Sequence, residues 1–544
     1  MNFGNPKNEN QIMENLTKEK ENNEGPLIGE NQIVEFEREI HDIPRHQVIN
    51  KVGGDGIYQR LILVGLIIPA IGILAFVSLF SQFTLMPNFL CKEKESQGSY
   101  YSCKIEQVCS NDYDFKVDEN SSNSNFISDF SLYCRYDLSI HLLITMLGIG
   151  ILIGSIIFVP LGDRFGRKIS IMISSFISLI LILSCIFIKT LFLLQIVFLL
   201  QAVVIVIFCA NLLVYMLEIC SCPSRTFFGS YILFVLPLSG LINEILFQLI
   251  RSWKIVLIIN SILIIIFVFY SPYFFESPRF LISRNDYPEA KLNLLNIAKC
   301  NKKNIRDLSI MGEQIKYNKE YHEDDQSRKQ NIFVIFELFA PNCIIRTLTI
   351  FAQSFCLSVL FIGVGFISVP IFQNVFFDNI FNYTIDLLNI IFTGFLSLIL
   401  GRKYTIFLAV TISAGLTVLT FFFSFIGEMY YGATLWLTRI FCVAAFTANK
   451  IYCVELFPTR IRSSGAGIIF SATALGIIFT YYISLIPFQV QYIYGGLGLV
   501  SIFIMGYLEE TNGVELKEDF DYKLSEKSES NEGYLMKGID VKIK

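Results

Sequence analysis

Histidine, tryptophan and charge are all scarce in this chain. Only four histidines occur in 544 residues, His41, His46, His141 and His322, and none stands in a His-Glu-x-x-His arrangement, so no metal centre or metalloenzyme is indicated. There is no G-x-x-x-x-G-K-S/T loop, which argues against an ATP-driven pump. Charged residues make up only 17% of the chain, and its net charge of −4 falls mostly in polar tails. Nothing supports nucleic-acid binding, and no cofactor or covalent chemistry is expected. No cleavable signal peptide is visible either: residues 1–57 are polar, rich in Asn and Glu, and read as a largely disordered segment.

What is abundant is apolar surface. Hydrophobic residues make up 53% of the chain and the mean hydropathy is +0.54, which excludes an ordinary soluble globular protein. Uncharged runs extend over Leu61–Cys91, Leu191–Leu217, Thr226–Asn243, Ile255–Phe275, Thr347–Phe377, Tyr404–Gly427 and Ser463–Leu508. A helix needs about 20 apolar residues to cross a bilayer. The last run therefore holds two spans, broken at Pro487, and His141–Leu161, Ile169–Ile188, Asp386–Leu400 and Gly432–Ala448 bring the expected total to twelve.

The charges between these runs recur. Gly166-Arg167-Lys168 is followed by Glu218, by Arg225 seven residues on, and eventually by Glu276. Gly401-Arg402-Lys403 is followed by Glu455, by Arg462 seven residues on, and eventually by Glu509. One unit has been duplicated, and the pattern predicts an all-α membrane protein of twelve transmembrane helices in two six-helix bundles, the architecture of secondary transporters. The expected organisation is a polar segment 1–57, a first bundle 58–272 with a large outer loop 87–138, a linker 273–345, a second bundle 346–508 and a tail 509–544. The turns at Arg164–Lys168, Arg225, Arg402–Lys403 and Arg460–Arg462 are basic and fall on one side with the linker, which places both termini in the cytoplasm of a multi-pass protein, expected in the plasma membrane.

The outer loop holds Cys91, Cys103, Cys109 and Cys134, with nine acidic residues against five basic ones. Four cysteines on the outer face suggest two disulfides, with three connectivities available. Asn120-Ser121-Ser122 is a glycosylation sequon in this loop, and Asn382-Tyr383-Thr384 a second on a short outer turn, too close to the bilayer to be used. The other nine cysteines read as small apolar packing residues.

Five segments carry a family likeness: Gly53-Gly54-Asp55-Gly56-Ile57-Tyr58-Gln59 before the first helix, Leu132-Tyr133-Cys134 before the second, Gly162-Asp163-Arg164-Phe165-Gly166-Arg167-Lys168, Phe275-Glu276-Ser277-Pro278-Arg279-Phe280-Leu281, and Glu455-Leu456-Phe457-Pro458-Thr459-Arg460-Ile461-Arg462. From about residue 50 to 516 the chain resembles the major facilitator superfamily and, within it, the organic cation, organic anion and carnitine transporters of the solute carrier type. Two departures stand out. Val159 replaces the glycine usual four residues before the aspartate, and Ala474 occupies the position where similar cation transporters carry an acid and anion transporters a base.

The resemblance implies alternating access, with Asp163, Arg164, Arg167, Glu218, Arg225, Arg402, Glu455 and Arg462 as a reversible cytoplasmic lock. Asp163 is expected to face the N-terminus of a neighbouring helix, Arg167 and Arg225 to pair with Glu218, and Arg402 and Arg462 with Glu455. The competing reading is that these groups only fix topology and helix ends. Charged residues inside membrane helices are costly and default to functional candidates, here Asp386, Arg439, Lys450 and Glu244. Asp386, near the outer end of its helix, is either a counter-charge for a cationic group or the partner of Arg439; Lys450 either lines the cavity or snorkels toward the cytoplasm; Glu244 sits near the outer end of helix 5, within reach of water. The substrate partner is a small organic solute, with an organic cation or a carnitine-like zwitterion favoured. A sugar or other neutral-solute porter and a non-transporting receptor are the alternatives; having only two tryptophans weakens the sugar reading. Neither energy coupling nor oligomeric state is legible.

Overall fold

The computed structural model describes residue 49 and residues 53–513 apart from 94–98, 111, 119–121, 223, 285, 304–333, 342, 368–373, 487–489 and 512. Asn120, Pro487, most of the polar N-terminal segment, linker residues 304–333 and the tail after 513 lie outside the described residues.

The apolar runs become helices, most of them where the hydropathy places them. Among the described residues ten are long and apolar enough to cross a membrane: α2 (Ser139–Phe165), α3 (Arg167–Cys185), α4 (Leu191–Ile219), α5 (Arg225–Ile250), α6 (Trp253–Tyr273), α7 (Ile344–Gly365), α8 (Val375–Leu400), α9 (Arg402–Phe423), α10 (Met429–Glu455) and α11 (Thr459–Ser484). Two shorter apolar helices, α1 (Ile57–Ile73) and α12 (Gln491–Gly506), complete two sets of six. The chain is a multi-pass, all-α membrane protein built of two six-helix sets. Between the sets, α2 lies along α11 and α5 along α8, so these four form the seam.

α1 is short because the run Leu61–Cys91 is not one helix. It breaks at Leu74 and again at Leu79, giving one-turn segments Ala75–Ser78 and Phe80–Phe83. Exposed carbonyls inside a bilayer need partners. The Ile71 carbonyl accepts from Ser239 at 3.0 Å and Asn243 at 3.3 Å, and the Ile73 carbonyl from Gln201 at 3.3 Å, so polar residues of α4 and α5 hold the break open.

Beyond the break the chain leaves the bundle. The large loop folds into a three-stranded antiparallel sheet, β1 (Phe89–Glu93), β2 (Tyr101–Cys103) and β3 (Tyr113–Val117), in the order β2-β1-β3. Of the three connectivities the structure has Cys91–Cys103, which joins β1 to β2, and Cys109–Cys134. Trp253 of α6 anchors the loop to the bundle: fully buried, it packs on Phe126 and donates to Asp129 at 3.1 Å. On the opposite face, linker helix Tyr287–Cys300 docks on the first half through Asn301, which accepts from the Tyr58 amide at 2.8 Å. Cys300 at its end is exposed, unlike the packing role expected of it, because it lies on the outer side of that helix.

Candidate transport site

The end of the molecule that carries the basic turns is built twice on one plan. Gly166 and Gly401 each take a positive φ, 109° and 87°, which lets one helix end and the next begin without a connecting loop. A Cβ at Gly166 would stand 2.2 Å from the Glu276 carboxylate, so only glycine fits there. Glu276 caps the new helix, accepting from the Arg167 and Lys168 amides, both at 3.1 Å. Burial pushes its carboxyl above the ordinary carboxylate range, opposed by the Ser277 amide and by Arg167. In the second half the Arg402 and Lys403 amides bind Glu510 at 3.2 and 3.0 Å. The counterpart of Glu276 is therefore Glu510, not Glu509 as the spacing suggested. Tyr215 and Tyr452 fix the register, donating to the carbonyls of Phe275 and Glu509, the residues just before the two capping acids.

Two of the ion pairs of this cluster cross the seam. Arg167 pairs with Glu218 at 3.1 Å and Arg402 with Glu455, each inside its own half. Arg462, expected beside Glu455, pairs instead with Glu218 at 3.2 Å, and Arg225, expected beside Glu218, reaches Glu455 at 3.9 Å. The in-half arginines also span the seam: Arg167 donates to the Thr459 carbonyl at 2.8 Å and Arg402 to the Thr226 hydroxyl at 2.7 Å. All four guanidinium groups are buried. Arg164 stands apart, exposed, with its backbone carbonyl taken by Arg284.

Asp163 closes the same seam differently. It pairs with Arg167 at 3.0 Å and accepts from the amides of Ser463 and Ser464, at 3.0 and 2.7 Å, at the start of α11 in the other half. The aligned position in the second half is Leu398, so the acidic cap exists only once. Val159 does not prevent the close approach of α2 to α11. Gly467 of α11 supplies the missing space, since a Cβ there would stand 2.3 Å from the Ser155 carbonyl and 3.6 Å from Val159.

The end bearing the disulfide loop is closed too. Glu244 is not within reach of water; it is fully buried, accepting from Gln82 of the broken first span and, at 3.2 Å, from Asn379 of α8. Asn379 also bonds Ser81 at 2.9 Å, and Tyr383 donates to the Ser78 carbonyl at 2.6 Å. Asn382-Tyr383-Thr384 accordingly lies inside α8 and not on a turn, because Asn374 caps the helix by accepting from the Phe376 amide at 3.0 Å. For the same reason Asp386 sits near the middle of α8, away from its end.

Between the two closures lie the remaining intramembrane charges. Asp386 pairs with Arg439 of α10 at 2.8 Å, the partner that one of its two expected roles named. Lys450 does not snorkel. Side chains on a helix lean toward its N-terminus, and α10 runs from the loop end to the basic end, so Lys450 leans into the membrane. Its ammonium bonds Thr473 of α11 and lies 4.8 and 4.4 Å from the ring centres of Phe446 and Phe470. Thr226, Thr459, Gln82, Asn379, Tyr383 and Thr473 were not singled out from sequence; none is charged, and the only signal for Thr226 and Thr459 was their place beside repeated arginines.

Residues 71–519 match the sugar (and other) transporter family. Organic cation/carnitine transporter 2 of Homo sapiens is 25% identical over 443 residues, spanning 77% of this chain and 75% of that protein. Solute carrier family 22 member 6 of Pseudopleuronectes americanus is 25% identical over 428 residues, 76% of this chain and 73% of its own. Solute carrier family 22 member 7 of Rattus norvegicus is 24% identical over 453 residues, 80% and 81%. Among solved structures, the major facilitator proton:xylose symporter XylE bound to 6-bromo-6-deoxy-D-glucose superposes with a TM-score of 0.61 at 15% identity, over 87% of this chain and 98% of that one. The inward-open xylose transporter XylE from E. coli gives 0.52 at 17% identity, over 85% and 98%. At these identities the likeness concerns the fold.

Proposed function

The chain belongs to the sugar (and other) transporter family, and from that premise we propose that it moves small organic ions across the membrane by alternating access. It is a transporter of small solutes and not an enzyme. The observation that supports the mechanism is the cross-seam pairing of Arg462 with Glu218 and of Arg225 with Glu455. Charges that only fixed helix ends would pair within their own halves. Pairs made between the halves exist only while that end is shut, and breaking them lets the halves rock apart.

The cycle follows from the two closures. Parting Tyr383 from Ser78 and Asn379 from Ser81 and Glu244 opens the loop end, which we place outside the cell because the basic turns mark the opposite, cytoplasmic end. The solute enters between the halves, that end closes, and the buried arginine pairs at the basic end give way. The plasma membrane is the proposed location.

Organic ions are favoured over neutral solutes because Asp386, Arg439, Lys450 and Glu244 bring charge into the spans, where it is costly unless it meets a charged solute or a coupling ion. The one relative named above for organic cation/carnitine transport supports the same reading. Asp386 carried the preference for a cation or zwitterion, but Arg439 already engages it. The sign of the transported charge is then set elsewhere in the cavity.

The test is uptake into proteoliposomes of choline, glycine betaine, benzoate and D-glucose under an imposed membrane potential. Saturable, voltage-sensitive uptake of an ion is expected. Uptake of glucose alone would move the chain to the neutral-solute porters, and binding without uptake would make it a receptor.

A further inference from the structure

We propose that Lys450 seats a negatively charged group of the transported solute, a carboxylate or its chemical equivalent, so that the solute is an organic anion or a zwitterion. The inference rests on the organic-ion reading and names the charge that the site takes.

Lys450 is 3% exposed. Among the described residues no carboxylate lies within salt-bridge distance of it, whereas the other cations buried in the spans, Arg167, Arg225, Arg402 and Arg462, each stand beside one. A buried cation without a counter-charge is strongly disfavoured. What surrounds Lys450 softens that without cancelling it: the Thr473 hydroxyl and the faces of Phe446 and Phe470. Phe361 of α7 stacks on Phe446 at 4.5 Å, which holds the ring in place. Thr473 donates its own proton to the Ile469 carbonyl at 2.9 Å, so the hydroxyl that the ammonium meets is already part of a bonded chain. An arriving carboxylate would supply the missing charge.

The position suits a solute entering between the halves. Ile451, the next residue, packs against the first half, where a Cβ on Gly229 would stand 3.5 Å from it. Ala474, next to Thr473, points its carbonyl at Gly148 of α2, 3.9 Å from a Cβ placed there. The residue after the lysine and the residue after its threonine partner thus border the surface that parts in the proposed cycle.

The experiment uses the full chain in proteoliposomes. Wild type is expected to take up benzoate or glycine betaine, and Lys450→Gln to raise the KM for that solute by about tenfold or more, the worth of a charge-assisted bond. Lys450→Arg should restore it. Thr473→Val, which keeps the cation but removes its hydroxyl partner, should raise the same KM severalfold while sparing any choline uptake. A benzoate-induced rise in the melting temperature of purified wild type that is absent in Lys450→Gln gives the same readout without transport. Unchanged KM values for benzoate and betaine in Lys450→Gln, or wild-type uptake of choline with neither carboxylate transported, would overturn the inference while leaving organic-ion transport standing. Glucose uptake with no ion transported would instead refute the transport reading beneath it.

Discussion

Glu218 accepts from Arg462 at 3.2 Å across the seam while holding Arg167 of its own half at 3.1 Å. One carboxylate thus carries a partner from its own half and one from the other, and in the proposed cycle only the second is released. Removing the charged member of a buried ion pair costs about 3–5 kcal/mol, so Glu218→Gln should weaken the closed basic end. A cysteine at Ser230, buried on α5 where Gly394 of α8 approaches, would report it. Its labelling by a water-soluble thiol reagent should accelerate at least about tenfold in Glu218→Gln. An unchanged rate would mean that these charges only organise helix ends.

Adjacent acids at the end of the second half should behave differently. Glu510 accepts the Arg402 and Lys403 amides, whereas Glu509 offers its backbone carbonyl to Tyr452. Losing a helix cap costs about 1 kcal/mol. Glu510→Ala should therefore lower the melting temperature measurably and Glu509→Ala hardly at all. Equal effects would undo the assignment of Glu510 as the partner of Glu276.

At the loop end, space is the controlling quantity. A Cβ on Gly240 would meet the Tyr383 ring at 2.4 Å. Gly240→Val should wedge α5 from α8, keeping solute binding from the loop side while abolishing uptake. Full uptake by this variant would show that α5 and α8 need not close so tightly.

The two disulfides close short loops, with separations of 12 and 25 residues. Each should stabilise the outer sheet by about 2–4 kcal/mol. Replacing Cys91 and Cys103 by Ser should increase proteolysis of the loop, read by gel after brief protease exposure, with uptake per folded molecule retained because the seam lies elsewhere. Loss of uptake at constant folded protein would place the loop in the transport cycle.

Hydropathy and the repeat of Gly-Arg-Lys, Glu and Arg made the two-bundle architecture legible, since burying backbone in a bilayer leaves few alternatives to helices. Where polar residues interrupt the apolar pattern, the reading failed in a consistent way. Asp378, Asn379, Asn382 and Asp386 made the first half of α8 look like a turn, yet they lie in a helix whose polar face meets the other half. The break in α1 was hidden for the opposite reason. The residues from Ile71 to Val77 around the first break are all apolar or glycine, and the partners of its freed carbonyls, Ser239, Asn243 and Gln201, are far away in sequence.

The sequence by itself determined the span pattern, the duplicated charge set, the cysteines of the outer loop and which charged residues are candidates for a gate. Only the tertiary structure decided who pairs with whom. Spacing along one chain is blind to the seam between two halves of nearly equal design. Arg225 and Arg462 have the same relation to the acid before them, and it is the approach of the other half that gives each a foreign carboxylate. The same holds for Lys450: its sequence neighbours permit snorkelling, but the direction of α10 and the rings of Phe446 and Phe470 turn it inward, where its charge lacks a carboxylate among the described residues.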